Sequence, residues 1–240
     1  MKRLTTLGLL AATAIHVLGH PTVGAAQETA ARQVQPLIEA PLPDVPRPVT
    51  GAIVGRSGGA LIVAGGRDEA GGAATSQAFV LPDGADEWVL LALSQAVADA
   101  AVTVVGDDII CLGGVDEGGT RRAAFRLCYV DGQLVESPLP DLPEPASLAG
   151  SAAAESVVYL VGGVGVGGAP VGDSFRRLDL EAGTAWEVLP PAPVAGLRRP
   201  IVAAQAGDIM VFGGEVAVAG GTQVTTEAWR YRPTRLDATA

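Results

Sequence analysis

The chain has 240 residues, 16 basic against 26 acidic, a formal net charge of −10, 48% hydrophobic residues and 4% aromatic ones. That balance disfavours nucleic acid and anionic membrane surfaces as partners. It also leaves ample apolar material for a core and makes each aromatic position informative.

The N-terminus reads as a secretory signal over 1–26. Lys2 and Arg3 form a charged start, Leu4–Leu18 is apolar and uncharged, and the small residues Val23-Gly24-Ala25-Ala26 offer a cleavage site. The expected product is secreted or periplasmic. Cleavage removes both histidines, His16 and His20, and the single lysine, Lys2; 14 basic residues then face 26 acids, a net charge of −12. No later apolar run is long enough to span a membrane, since Glu155 interrupts the nearest one at 148–172. Residues 27–33 read as a flexible leader and 236–240 as a disordered tail, leaving 34–235 as the folded region.

Within that region four hydrophobic runs each end in a double glycine: LIVAGG (61–66), IICLGG (109–114), YLVGG (159–163) and IMVFGG (209–214). The glycine pairs are Gly65-Gly66, Gly113-Gly114, Gly162-Gly163 and Gly213-Gly214, and their first members are 48, 49 and 51 residues apart. A period near 50 marks a repeat architecture. Each run follows a segment of small apolar residues: TGAIVG (50–55), AAVTVVG (100–106), LAGSAAA (148–154) and IVAAQAG (201–207). A glycine-rich loop then leads to an aromatic segment holding Phe79, Phe125, Phe175 or Trp229. Trp88, Leu134 and Trp186 mark a fourth segment in the first three units. Short β-branched runs between turns predict antiparallel strands, four per unit, with three in the last. The glycines permit close backbone approach, and the aromatics supply area for packing one sheet on the next. VQPLIEAPLPDVPRP (34–48) parallels QLVESPLPDLPEP (133–145) and AWEVLPPAPVAGLRRP (185–200). Residues 34–43 therefore read as a displaced fourth strand for the last unit, a pairing that removes exposed edges.

Cys111 and Cys128 are the only cysteines. On a hairpin centred near Gly119 they would face each other, and an oxidising compartment would allow a disulfide; the alternative is two small buried hydrophobes. The segment 163–168 matches G-x-G-x-x-G, but a strand rather than a helix follows, so it lacks the helix N-terminus that would hold a pyrophosphate. It reads as one more repeat loop.

The repeats resemble the kelch motif over roughly residues 34–232. The resemblance implies an all-β fold, a kelch-type β-propeller of about four blades of four antiparallel strands, closed by 34–43 with the C-terminal blade. The stretch GGALIVAGGRDEA (58–70), with PLPDVPRP before it, looks like the opening of periplasmic kelch proteins related to sialic acid epimerases, labelled cyclically permuted mutarotases. Such proteins are six-bladed, and the copper-containing sugar oxidases that share kelch architecture need histidines the mature chain lacks.

In a propeller, the loops after each Gly-Gly and the loops between units open on one face. The first set carries Arg67, Asp68, Glu69, Asp116, Glu117, Arg121, Arg122 and Glu215; the second carries Arg47, Arg198 and Arg199. Arginines recognise carboxylates in bidentate fashion, and neighbouring acids can act as acid or base. Arg67, Glu69, Arg198 and Glu215 are the catalytic candidates, and the remainder are candidates for binding. The mature chain offers no histidine for a Ser-His or Cys-His nucleophile or for a His-ligated metal. The acidic loops fit no calcium spacing, so no metal or cofactor is expected. The expected role is an exported module binding a protein or carbohydrate, compatible with a homo-oligomer; a sugar-acid epimerase or mutarotase is the alternative.

Overall fold

Three joints, each built on the same plan, hold the structure together. The computed structural model describes residues 41–68, 72–171, 175–219 and 221–233. Most of the displaced strand at 34–43, together with the signal, the leader and the tail, lies outside those residues. Sheet 1 runs β1 (Ile53–Ser57), β2 (Ala60–Ala64), β3 (Gln77–Pro82) and β4 (Val89–Ala92), antiparallel and in that order. Sheet 2 uses β5 (Ala101–Val105) and β6 (Asp108–Leu112). After a small hairpin of β7 (Val115–Asp116) and β8 (Gly119–Thr120), it adds β9 (Ala124–Val130) and β10 (Gln133–Leu139). Sheet 3 comprises β11 (Gly150–Ala154), β12 (Val157–Val161), β13 (Phe175–Asp179) and β14 (Glu187–Val188). The short β15 (Leu197–Arg198) precedes β16 (Ile201–Gln205) and β17 (Asp208–Phe212). β18 (Glu215–Val218) and β19 (Gly221–Val224) join β15 in a small sheet of their own, and β20 (Ala228–Tyr231) completes a three-stranded sheet 4 with β16 and β17. The all-β expectation and the strand order of each unit are met; the small sheet inside the last loop was not foreseen.

The core follows from strand alternation. In β6, Ile109 and Cys111 face sheet 1 while Ile110 and Leu112 face sheet 3, and all four are at most 1% exposed. A strand sandwiched on both sides therefore needs an unbroken apolar run, each large side chain contributing roughly 1.5–3 kcal/mol on burial. Equivalent alternation in β12 sends Val158 and Leu160 toward sheet 2 and Tyr159 and Val161 toward sheet 4. The innermost strands pack in succession, β1 on β5, β5 on β11 and β11 on β16.

The double glycines explain themselves at these joints. Gly66, Gly114 and Gly163 donate their N–H groups to the carbonyls of Val97, Ala146 and Leu197, at 2.7, 2.8 and 2.8 Å, in the segment leading to the next sheet. A Cβ on Gly65, Gly113 or Gly162 would stand 2.3, 2.1 and 2.1 Å from those same oxygens. No side chain fits there. Two residues ahead of each innermost strand a second line of bonds runs from sheet to sheet: Asp99 N–H to Gly51 O at 2.8 Å, Leu148 to Asp99 at 2.9 Å, and Arg199 to Leu148 at 2.7 Å. All four residues have positive φ, though only one is glycine. Trp88 and Trp186 fix the linkers, their indole N–H groups donating to Pro43 O at 3.0 Å and Pro140 O at 2.9 Å.

Two sequence expectations need correction. Cys111 and Cys128 are both free thiols. Cys111 sits opposite Phe125 and faces sheet 1, whereas Cys128 sits opposite Val135 on the other side of the sheet. Its Sγ donates to Asp108 Oδ1 at 2.9 Å. Opposite faces exclude the bridge, because Cys128 is three positions along β9 from Phe125, the residue opposite Cys111, and an odd offset on a strand reverses the side. The aromatic alignment also slips in sheet 3. Register places Phe175 level with Ala78, Ala124 and Ala228, so the position of Phe79, Phe125 and Trp229 is taken by Arg176. Phe175 faces sheet 4 instead, edge-on to Trp229 and Tyr231 with ring centres 5.6 and 4.8 Å away.

Candidate functional site

The segments between sheets and the loops after each Gly-Gly meet at one end of the strands. Thr50 bridges Arg67, Ala98 bridges Val115, Ser147 bridges Val164, and Arg198 pairs with Glu215. Arg67, Val115, Val164 and Glu215 are thus equivalent positions, charged in the outer two units and apolar in the inner two.

Two arginine–carboxylate clusters result. Arg67 donates through Nε and Nη2 to Asp99 Oδ2, at 3.3 and 3.0 Å, and through Nη1 to the Gly72 carbonyl. Both side chains of the pair are about one-fifth exposed. Asp99 belongs to the next sheet, so this pair clamps the first joint. In the second cluster Arg198 Nε reaches Glu215 Oε2 at 2.8 Å and Arg199 Nη1 reaches Oε1 at 3.2 Å. Glu215 is three-quarters covered, while the Arg199 side chain is 56% exposed. Two guanidiniums on one carboxylate leave one positive charge in excess, presented to solvent by Arg199. The hydrogen bond from Arg198, followed by that from Arg199, holds the Glu215 carboxyl below its usual range.

The other described candidates, Glu117 apart, are engaged by contacts within the chain. Arg47 pairs with Asp68 and donates to Gln77 Oε1 at 2.7 Å, all on the surface. Arg121 donates to Ala96 O at 3.1 Å and Gln95 Oε1 at 3.0 Å and lies 3.4 Å from Asp116. Asp116 Oδ1 accepts the Gly118 N–H at 2.7 Å, closing the β7–β8 hairpin, and Glu117 stands exposed at its tip. Arg122 Nε donates to Leu142 O at 2.7 Å. Glu69 lies outside the described residues. Asp99 was missed in the sequence reading; the signal for it was its repeat position, level with Gly51, Leu148 and Arg199.

At the opposite end of the strands a cleft of about 850 Å³ opens between sheets 3 and 4, lined among others by Glu155, Tyr159, Arg177, Asp208 and Arg232. Arg177, Asp208 and Arg232 are paired within the chain. Arg177 donates to Glu187 at 2.8 Å, and Arg232 grips Asp208 with two bonds of 2.9 Å. Burial pushes the Tyr159 hydroxyl above its usual range, against the opposing effect of the Arg177 hydrogen bond. Nothing in the repeat pattern singled out this cleft.

Among the described residues no helix is long and apolar enough to cross a membrane. No protein-family model matches the sequence, and no curated protein matches it either. In three dimensions the chain is similar to the solved structure of YjhT, with a TM-score of 0.65 over 80% of this chain and 68% of that one, at 15% identity. The likeness identifies a propeller-like all-β fold.

Proposed function

We propose that the protein is an exported kelch-type propeller that binds carboxylate-bearing ligands, carbohydrate or protein, on the face where the Gly-Gly loops meet. The fold is read as four blades, with 34–43 supplying the outer strand that sheet 4 lacks. The observation that carries the binding reading is the Arg198–Arg199–Glu215 cluster, which offers a half-exposed guanidinium, held in place by a carboxylate and carrying net positive charge. A held guanidinium loses less rotamer freedom on meeting a second carboxylate, which favours recognition. Glu215 itself is a poor general base, because a base working near neutrality needs a raised rather than a lowered pKa. Ligand-observed NMR on the mature chain, with a sugar acid and its neutral counterpart at low salt, tests this. The acid alone should show binding, lost in Arg199→Ala; equal responses from both sugars, or from neither, would refute it. Mass analysis of the exported protein should show a chain beginning near residue 27.

A second reading, a sugar-acid epimerase or mutarotase, is favoured by the convergence of Arg198 and Arg199 on one carboxylate and of Arg67 on another. NMR of anomer exchange in a sialic-acid-like substrate tests it. Exchange above background that disappears in Glu215→Gln supports catalysis, and background exchange leaves the binding module.

A further inference from the structure

We infer that the outward face of sheet 4 is a joint surface, and that it receives sheet 1 of a second copy of this chain, head to tail, in a ring of two chains. The inference rests on the propeller reading above and takes the ring to close between two chains instead of within one.

The argument compares one position across four sheets. Ile53, Ala101 and Gly150 begin the innermost strands of sheets 1 to 3, and Ala64, Leu112 and Val161 end the strands beside them. These residues face the following sheet; Ile53, Ala101, Ala64, Leu112 and Val161 are at most 2% exposed, and Gly150 is buried. Their equivalents in sheet 4 are Ile201 and Phe212, opposite one another, and these are 68% and 41% exposed. Two large apolar side chains stand where the other three sheets pack.

The backbone repeats the message. Gly66, Gly114 and Gly163 each donate to the next sheet, while the Gly214 N–H has no partner among the described residues. Gly51, Asp99 and Leu148 each accept through their carbonyls, while that of Arg199 receives no bond among the described residues. Gly213 keeps the glycine, yet a Cβ there would meet only Thr225 O at 3.4 Å, against 2.1–2.3 Å for its three equivalents. A donor, an acceptor and a vacant glycine thus await a neighbour.

Sheet 1 offers the complement. In every internal joint the following sheet supplies a carbonyl from the Val97, Ala146 or Leu197 position and an N–H from the Asp99, Leu148 or Arg199 position. In sheet 1 those are Val49 O and Gly51 N–H, and neither has a partner among the described residues. Val54, level with the buried-side Val102 and Val202 of later sheets, is 51% exposed. Val63, Phe79 and Leu81 on the same side are buried, so on sheet 1 the joint is confined to the innermost strand and its lead-in, narrower than the internal joints, which also engage second and third strands through Ile109, Cys111 and Phe125. Gly214 N–H would donate to the partner's Val49 O, and the partner's Gly51 N–H to Arg199 O. Two such joints close a ring with two-fold symmetry.

Light scattering coupled to size exclusion, on the mature full-length chain, tests the inference. The expected mass is twice that of one chain, falling to one chain in Phe212→Arg and, separately, in Val54→Arg. Both positions are exposed, so folding should survive, as circular dichroism would verify. Gly213→Asn is a third probe, since asparagine tolerates positive φ but its side chain would block the joint. A wild-type monomer overturns the inference, as does a dimer that only Phe212→Arg disrupts, which would mean sheet 4 meeting sheet 4. Dimers indifferent to all three variants, or open-ended assemblies, overturn it equally. A monomer with an intact all-β spectrum and sugar-acid binding would sink the joint and leave the proposed function standing.

Discussion

Arg176 is the residue whose replacement should stabilise the protein. It occupies the position held by an aromatic in the other three sheets, is 5% exposed, and leaves Nε and Nη1 buried without a hydrogen-bond partner among the described residues. Its ionic contact among the described residues, Glu144 at 3.5 Å, has a side chain 57% exposed. A pair so open to water contributes about 0–1 kcal/mol. Two buried, unmade donors cost about 1–3 kcal/mol each. Arg176→Met fills similar length with apolar atoms and removes both donors, so a net gain of about 2 kcal/mol is expected, within the range found when buried ionic groups give way to packed hydrophobes. For a chain of this size that is roughly 4–8 °C in Tm. Urea and thermal unfolding of the protein measure it. Arg126→Met is the contrast, since Arg126 bonds Asp108 at 2.7 Å and Leu180 O at 2.9 Å. Its loss should cost about 1–2 kcal/mol. A wild-type chain more stable than Arg176→Met by over about 1 kcal/mol would refute the reasoning.

Other tests follow from the same geometry. Cys111 and Cys128 are free thiols, so both should react with a thiol reagent on unfolding without reductant. Burial, reinforced by Asp108, pushes the Cys128 thiol up to about 11 from 9.0. The stability this lends is full below pH 9 and lost as pH rises toward 11, a decline that Cys128→Ala should flatten in pH-dependent unfolding. Glu215 and Asp208 lie below their usual ranges, held chiefly by Arg198 and Arg232. Their contribution is present above pH 4.5 and 3.8 respectively and lost as pH falls further, so Glu215→Gln should shallow the acid slope. Asp99→Gly keeps a residue at ease with positive φ while removing the partner of Arg67. The gain of about 1 kcal/mol from relieved strain should offset the lost pair, leaving the urea midpoint nearly unchanged, whereas Asp99→Val should lower it clearly.

The repeat was legible because it is made of constraints that act on residue type directly. A carbonyl 2.1 Å from a would-be Cβ admits glycine alone, and a strand packed on both faces admits only apolar residues. Side-chain facing was harder to read. The loop between Gly-Gly and the aromatic strand varies in length, so counting from the glycine put Phe175 level with Phe125, although the ladder shows it one residue out of step. The same ambiguity let Cys111 and Cys128 look like partners, since spacing on a hairpin does not reveal the side of the sheet. The arginine-bearing loops were found because loops at one end of alternating strands must gather. Asp99 escaped because it stands in the inter-sheet segment among small residues, where only alignment with Arg199 marks it.

That alignment links the fold to its chemistry. Gly51, Asp99, Leu148 and Arg199 share a backbone shape and a line of inter-sheet hydrogen bonds made wholly by main-chain atoms. Because the main chain makes the joint, the side chain at each position is released from structural duty. It must only tolerate positive φ, at a cost of about 1–3 kcal/mol for a residue with a Cβ. Three of four positions accept that cost. Two of the three put the residue to use, Asp99 holding Arg67 and Arg199 capping Glu215. Strain at a position where glycine would serve equally well for the backbone points to a role for the side chain. At Leu148 no such polar contact exists among the described residues, and the apolar neighbours Val115 and Val164 stand at the equivalent loop positions beside it. At these loop positions the face is therefore charged toward its two ends and apolar between them, with the charges of the β7–β8 hairpin, Asp116, Glu117 and Arg121, standing beside the apolar pair.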